Sequence, residues 1–216
     1  MISLKLAASI LAADKSSFVD AAKHAEEAGV DMIHVDVMDG RFVPNKAFTA
    51  DDVRTLRKEV SLPLDCHLMV LDNVKYVEEL IGAGADYLTM HVEALSDETF
   101  YGLRDIISST GKYVGLAVKP ETSLDAIILR DPKVSLINIM TVNPGFSGQS
   151  LIYGAIKKIG EAKRILGNSV EIEVDGGVNA SNIKSVVGMG ATIVVAGNAI
   201  FGHGDITSAL DKLRNY

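Results

Sequence analysis

The sequence is poor in the features that mark secreted, membrane-spanning and nucleic-acid-binding chains. Cys66 is its one cysteine, so no internal disulfide can form and a reducing compartment is expected. Lys and Arg number 21 against 28 Asp and Glu, a formal net charge of −7. That balance supplies no basic face for coating a duplex, so no nucleic-acid partner is expected. An anionic small molecule stays compatible, because backbone amides and helix N-termini bind phosphate without net positive charge. No apolar run reaches the length of a bilayer span, and no membrane partner is expected. The start, Met1-Ile2-Ser3-Leu4-Lys5, lacks the long apolar core of a signal peptide. Linkers, low-complexity segments and composition breaks are missing too. The expectation is a cytoplasmic protein forming one domain over residues 1–216, with 48% hydrophobic residues to build a substantial core.

What the chain does have is a strand-helix alternation repeated about eight times. Strands are expected at residues 4–10, 31–37, 64–69, 87–91, 113–118, 136–140, 170–175 and 192–196. Amphipathic helices are expected at 18–29, 51–59, 74–84, 100–110, 151–166, 180–190 and 206–213. Three of them close on glycine before the next strand, at Gly29, Gly84 and Gly190, where a left-handed cap lets the chain turn back. Such alternation implies an α/β fold with a parallel sheet and right-handed crossovers. Eight units in this length fit a minimal (β/α)8 TIM barrel; an open doubly wound sheet is the alternative. In a barrel, chemistry gathers at the C-terminal ends of the strands. His34, Asp36, His67, His91, Met140 and Asp175 all fall near such ends.

Alternate side chains of a strand share a face, so His34 and Asp36 point together with Val35 opposite. Asp65, His67 and Met69 likewise face inward, leaving Cys66 and Leu68 towards the helices. With Asp175, the two imidazoles and two carboxylates of His34, Asp36, His67 and Asp175 can converge on one divalent metal ion: zinc, iron, manganese or cobalt. A base beside such an ion, for which Asp36 is the candidate, can take a proton next to a carbonyl as an enediolate forms. Ser9 ends the first strand, its hydroxyl placed either for a substrate oxygen or for capping a turn. Asp14 to Ser17 read as capping residues and Asp39, before Gly40, as a turn residue. Met38, Met69 and Met140 occupy corresponding strand ends, either as core filler or as an apolar cover keeping water from an enediolate.

Glycine clusters follow strands six, seven and eight. They are Asn143-Pro144-Gly145-Phe146-Ser147-Gly148-Gln149, Gly176-Gly177 and Gly197-Asn198. Three such turns before helices can place several backbone N–H groups around a phosphate. The turns after strands seven and eight are the recurrent phosphate site of barrels. The expected small-molecule partner is therefore a phosphorylated one.

The segments Ser9-Ile10-Leu11, His34-Val35-Asp36-Val37-Met38-Asp39-Gly40, Phe42-Val43-Pro44-Asn45, His67-Leu68-Met69-Val70, Met140-Thr141-Val142-Asn143-Pro144-Gly145-Phe146, Glu173-Val174-Asp175-Gly176-Gly177 and Gly197-Asn198-Ala199-Ile200-Phe201 together resemble the ribulose-phosphate 3-epimerase family. The resemblance spans nearly the whole chain in order. It implies a (β/α)8 barrel that interconverts ribulose 5-phosphate and xylulose 5-phosphate with a divalent metal, as part of the pentose phosphate pathway. Carried over by position, it implies metal binding by His34, Asp36, His67 and Asp175, with Asp36 and Asp175 as the acid/base pair on opposite faces of C3. Ser9 and His67 would contact the sugar. Gly145, Phe146, Ser147, Gly148, Gly176, Gly177, Gly197 and Asn198 would hold the substrate and its phosphate. Strands two and seven are expected on opposite sides of the ring. Assembly into a homo-oligomer, a dimer or a hexamer, is implied as well.

The chain departs from the family pattern in places. Ala8 and Ala12 stand where the family has proline and serine, and Ser147 replaces a common glycine. Lys119-Pro120 ends strand five where the family has asparagine before the proline. Lys119 is either a cation near the substrate or a solvated rim lysine. Asp65-Cys66 before His67 also occurs in epimerases of hexulose phosphates such as allulose 6-phosphate, which leaves the sugar open. Two other classes compete: a lyase resembling the orotidine-monophosphate decarboxylase group, and a non-catalytic sugar-phosphate sensor. The lyases carry Asp-x-Lys-x-x-Asp on strand three, whereas Asp65-Cys66-His67-Leu68-Met69-Val70 has neither that lysine nor the second acid.

Overall fold

Short apolar runs bounded by turn residues are too brief for helices, and all eight become strands. They are β1 Lys5–Ser9, β2 Met32–Met38, β3 Leu64–Met69, β4 Tyr87–His91, β5 Tyr113–Val118, β6 Leu136–Met140, β7 Glu171–Asp175 and β8 Ile193–Ala196. The helices are α1 Phe18–Glu27, α2 Ala50–Glu59, α3 Asn73–Ala83, α4 Asp97–Ser109, α5 Asp125–Ile128, α6 Lys157–Leu166, α7 Ile183–Gly188, α8 Asn198–Phe201 and α9 Ile206–Arg214. The computed structural model describes residues 4–128, 133–202 and 204–216; Met1, Ile2 and Ser3 of the start read above lie outside them.

Each strand runs parallel to the next, and β8 pairs back onto β1, so the sheet closes into a (β/α)8 barrel rather than an open doubly wound sheet. Closure leaves no unpaired edge. It also gives every strand an inner and an outer face. Outward residues such as Ile33, Val35, Val37, Cys66 and Leu68 are fully buried against the helices in the large core cluster. A smaller apolar cluster of Ala7, Met32, Tyr87, Leu136, Ile193 and Val195 is contributed by the inner positions of five strands. Each fully buried aliphatic side chain contributes roughly 1.5–3 kcal/mol relative to exposure. Gly115 belongs to the inner wall: a Cβ there would meet Thr89 Oγ1 at 2.2 Å.

Helix starts follow local capping. Thr49 and Asp52 form a reciprocal capping box at α2, and the side chains of Asp72, Ser96 and Asp205 cap α3, α4 and α9. Ser96 starts α4 at Asp97, three residues before the expected 100. Gly29, Gly84 and Gly190 adopt φ of 93°, 101° and 111°, the left-handed turn-back expected of them. Asp14 accepts hydrogen bonds from Ser16, and Asp39 from the backbone of Arg41, Phe42 and Leu71, the capping and turn roles expected.

Two helices begin later than their periodicity implies. The expected helix 151–166 begins only at Lys157, because Ile152 N–H is drawn to Thr141 O at 2.7 Å and the preceding residues form turns. The expected helix 180–190 begins at Ile183, since Asn179 accepts from Ser181 and Asn182 accepts from the Asn179 N–H, tying residues 179–182 into local side-chain turns. The short α5 and α8 were not visible as periodic segments at all. Among the described residues, no helix is long and apolar enough to cross a membrane.

Candidate active site

Strand register builds the site. Pairing of β2 with β3 sets Asp36 beside His67 and Met38 beside Met69, while β6 and β7 set Met140 beside Asp175. Period-two alternation turns all of these to the inner face at the C-terminal end of the barrel. The sequence-based expectation that β2 and β7 lie on opposite sides of the ring does not hold, since only β1 and β8 stand between them on one side. Inward side chains from both still close on one centre.

At that centre, His34 Nε2 lies 3.5 Å from Asp36 Oδ1 and 3.7 Å from Asp175 Oδ2. His67 Nδ1 lies 3.5 Å from Asp36 Oδ1 and 3.3 Å from Asp175 Oδ2. The four ligand-capable atoms lie within 4.8 Å of one another. Atoms about 2.1 Å from a shared tetrahedral ion stand ~3.4 Å apart. Both imidazole nitrogens are buried with no hydrogen-bond partner, an arrangement costly for polar groups unless something binds there. Spacing, donor chemistry and orphaned nitrogens all fit a divalent cation. Burial alone would lower the His34 pKa, but the Asp65 and Asp36 carboxylates outweigh it and hold it well above the ordinary value. Burial would raise Asp36, yet the His34 and His67 rings bring it far below the usual carboxylate range. The field favours positive charge at this point.

The atoms behind the cluster are fixed in turn. His34 Nδ1 is 2.6 Å from Asp65 Oδ2, and the Ser9 hydroxyl donates to Asp36 Oδ2 at 3.0 Å. Ser9 thus serves the site and makes no capping bond with its side chain. One layer below, burial and the Asp65 charge raise the Glu173 carboxyl well above its ordinary value. His34, Asp65 and Glu173 form a second close grouping there, but it uses the His34 nitrogen already engaged with Asp65. On the other side, His67 Nε2 lies 2.9 Å from His91 Nε2, and His91 Nδ1 lies 2.9 Å from Glu93 Oε2. Burial lowers His91 to about 4, outweighing the pull of Glu93 in the other direction. Burial would raise Glu93, but hydrogen bonds from His91 and Thr122 bring it down to about 2.

A cavity of about 640 Å³ opens above the cluster. Ser9, Asp36, Asp175 and the three methionines Met38, Met69 and Met140 form its floor, while His34 and His67 lie fully buried beneath. The loop carrying Gly145, Phe146, Ser147 and Gly148, with Gly176, Gly177, Gly197 and Asn198, forms the rest of its lining. Asn45 Nδ2 donates to Gly145 O at 2.8 Å, and Gln149 Nε2 donates to Asn143 O and Phe146 O, bracing that loop. Gly177 has φ of 70°, and a Cβ on it would sit 2.4 Å from Leu151 N, so only glycine fits.

Every site residue expected from the sequence therefore reaches this one region. The supporting groups were less visible. Asp65 and Glu173 each precede a cluster residue by two on the same strand, a period-two signal that places them directly below it. Glu93 offers no such signal, because it leaves β4 on the 3-10 turn Val92–Ala94. Asn45 reaches the site across 100 residues of chain. Cys66 is fully buried, its pKa pushed up by that burial, in keeping with a packing role.

Lys119 is absent from the cavity wall; its Nζ lies 4.3 Å from the Phe42 ring centroid. Such a cation–π contact contributes roughly 0.5–1 kcal/mol at exposed sites. Lys119→Asn is accordingly expected to keep kcat/KM within about fivefold, ~1 kcal/mol, in a steady-state assay. A loss of about a hundredfold, ~2.7 kcal/mol, would place the ammonium in the machinery.

Comparison with known proteins agrees across nearly the full length. Residues 5–201 match the model of the Ribulose-phosphate 3 epimerase family. The chain is 38% identical to a protein named ribulose-phosphate 3-epimerase from Bacillus subtilis, covering 98% of each. It is 41% identical to another of that name from Methanocaldococcus jannaschii, over 98% of this chain and 90% of the relative. Among solved structures, 3-keto-L-gulonate-6-phosphate decarboxylase from Vibrio cholerae superimposes with a TM-score of 0.73 at 15% identity, over 100% of this chain and 97% of that one. That likeness concerns the fold alone.

Proposed function

The chain belongs to the ribulose-phosphate 3-epimerase family, and from that premise we propose that it interconverts D-ribulose 5-phosphate and D-xylulose 5-phosphate. The observation that carries the reading is the placement of Asp36 and Asp175, two carboxylates from different strands, at the floor of one cavity above a shared His/Asp cluster. The names of the curated relatives favour the pentulose over a hexulose phosphate such as allulose 6-phosphate.

Epimerisation at C3 needs a proton removed from one face of the carbon and one delivered to the other. Asp36 and Asp175 are assigned these roles, exchanging them when the reaction runs backwards. His34, Asp36, His67 and Asp175 would hold one divalent ion: zinc, iron, manganese or cobalt. When bound, that ion supplies Lewis-acid stabilisation of negative charge on the substrate oxygens, making the C3 proton easier to remove. Ser9 holds the outer oxygen of Asp36 and lines the cavity where the sugar hydroxyls would lie. His67, expected to contact the sugar, is instead buried beneath the floor with its nitrogens turned to the cluster and to His91. Met38, Met69 and Met140 keep water off the carbon while it is planar, so that protons come only from the two acids. The turns at Gly176, Gly177, Gly197 and Asn198 offer backbone N–H groups to the phosphate dianion. The loop of Gly145, Phe146, Ser147 and Gly148 lies beside it and lines the mouth.

The same reading makes the partner a sugar phosphate, the compartment cytoplasmic, and the protein a homo-oligomer, a dimer or hexamer that light scattering would resolve. The test of the activity is a turnover assay across pentulose and hexulose phosphates with metal-depleted and reconstituted protein. Turnover of ribulose 5-phosphate is expected to vanish on chelation and return with the ion. Equal turnover without any divalent ion, or a preference for hexulose phosphates, would overturn the corresponding part of the assignment.

A further inference from the structure

Behind His67 runs a line of polar groups that the proton transfers do not use. Glu93 Oε1 accepts the backbone N–H of Lys119 at 2.8 Å, and Oε2 lies 2.9 Å from His91 Nδ1. His91 Nε2 in turn lies 2.9 Å from His67 Nε2. The His91 ring is fully buried between Phe42 and His67, with ring centroids 4.7 and 5.0 Å away, so it has no room to turn. Each contact can hold one proton only. An ionised carboxylate accepts and never donates, so the His91 proton must sit on Nδ1, leaving Nε2 as a lone pair. That lone pair demands a proton on His67 Nε2. The remaining nitrogen of His67, Nδ1, is then a bare lone pair, and it is the atom that faces Asp36 and Asp175 without a hydrogen bond.

We propose that Glu93 and His91 are positioning residues which fix the tautomer and ring plane of His67, so that Nδ1 is presented ready to bind a cation. This rests on the reading of His67 as a metal ligand. With the opposite tautomer, an N–H would point into the centre and would have to be displaced before any ion could enter. Asp65 plays the same part for His34 in one step; His67 needs two because no carboxylate reaches its far side.

The Glu93→Gln variant keeps the shape of the side chain but has one accepting oxygen where the carboxylate serves the Lys119 N–H, His91 and the Thr122 hydroxyl. If that oxygen stays with Lys119 N–H, the amide NH2 faces His91 and reverses the tautomer down the line.

Two measurements test this. In zinc-loaded wild-type protein, nitrogen-15 NMR of the histidine rings is expected to show His67 coordinated through Nδ1 and protonated on Nε2, with His91 protonated on Nδ1 alone. Chelator competition is expected to show zinc held about 10- to 100-fold more weakly by Glu93→Gln, the usual range for such outer partners. A His91 proton on Nε2 while His67 Nδ1 is bound to zinc would overturn the relay and leave the epimerase reading standing. A His67 ring not bound through Nδ1 would overturn the ligand assignment itself. Unchanged zinc affinity in Glu93→Gln would also overturn the relay. Should that variant fail to fold, the wild-type spectrum decides alone.

Discussion

Asp36→Asn and Asp175→Asn are each expected to lower turnover by at least about a thousandfold, or ~4 kcal/mol of transition-state stabilisation. Asparagine preserves the size of the side chain and one accepting oxygen, so the Ser9 contact to position 36 and the packing can survive. What it loses is the capacity to carry a proton. Inverting a carbon requires proton traffic on two faces, and a single fixed carboxylate cannot easily serve both. Asp36 is the more enclosed, with 6% of its side chain exposed against 14% for Asp175, so neither is replaced cheaply by solvent. Both also belong to the ligand-capable cluster. Metal content must therefore be measured beside the rate constants, since loss of an ion would otherwise pass for loss of a base. A variant that retains its ion and more than about a tenth of wild-type turnover, a cost under ~1.4 kcal/mol, would contradict the assignment.

Free ribulose is expected to react with kcat/KM at least about a thousandfold below that of ribulose 5-phosphate. Even two hydrogen bonds to a charged phosphate at ~2 kcal/mol each amount to ~4 kcal/mol. Part of the loss is expected in kcat, because binding energy at the remote phosphate holds C3 between the two acids. The glycines support this in detail. Gly176 and Gly177 have φ of 119° and 70°, and a Cβ on either would come within 2.4 Å of Val142 or Leu151. Only glycine fits either turn, and both line the cavity. Comparable efficiency on the free sugar would show that these turns serve the fold rather than a phosphate.

Much of this was legible in the sequence because it depends on short-range periodicity. The alternation His34-Val35-Asp36 and Asp65-Cys66-His67 settles which residues face the barrel interior, and one-residue slips would bury the wrong set. Strand ends collect the cluster because closure of a parallel barrel leaves them nowhere else to point. Legibility fails where contacts cross the chain. The 151–166 periodicity promises a helix from its first residue, yet the Thr141 carbonyl captures Ile152 and delays it to Lys157. Of the two readings of Lys119, the structure fits the rim lysine, half-buried with its charge over Phe42, a ring supplied from the β2–α2 connection that its own segment does not announce. Glu93 reaches His67 only through His91, and nothing in its own segment announces that.

The most direct test of the two-acid account is the reaction in heavy water, followed from its first turnovers by NMR or mass spectrometry. Xylulose 5-phosphate formed from ribulose 5-phosphate is expected to carry solvent deuterium at C3, while unreacted ribulose 5-phosphate stays largely unlabelled early in the reaction. One acid takes the original hydrogen, and the other, already exchanged with solvent, delivers the new one to the opposite face. Product that retains its original C3 hydrogen would mean that one group returns the same proton, and the roles given to Asp36 and Asp175 would be wrong.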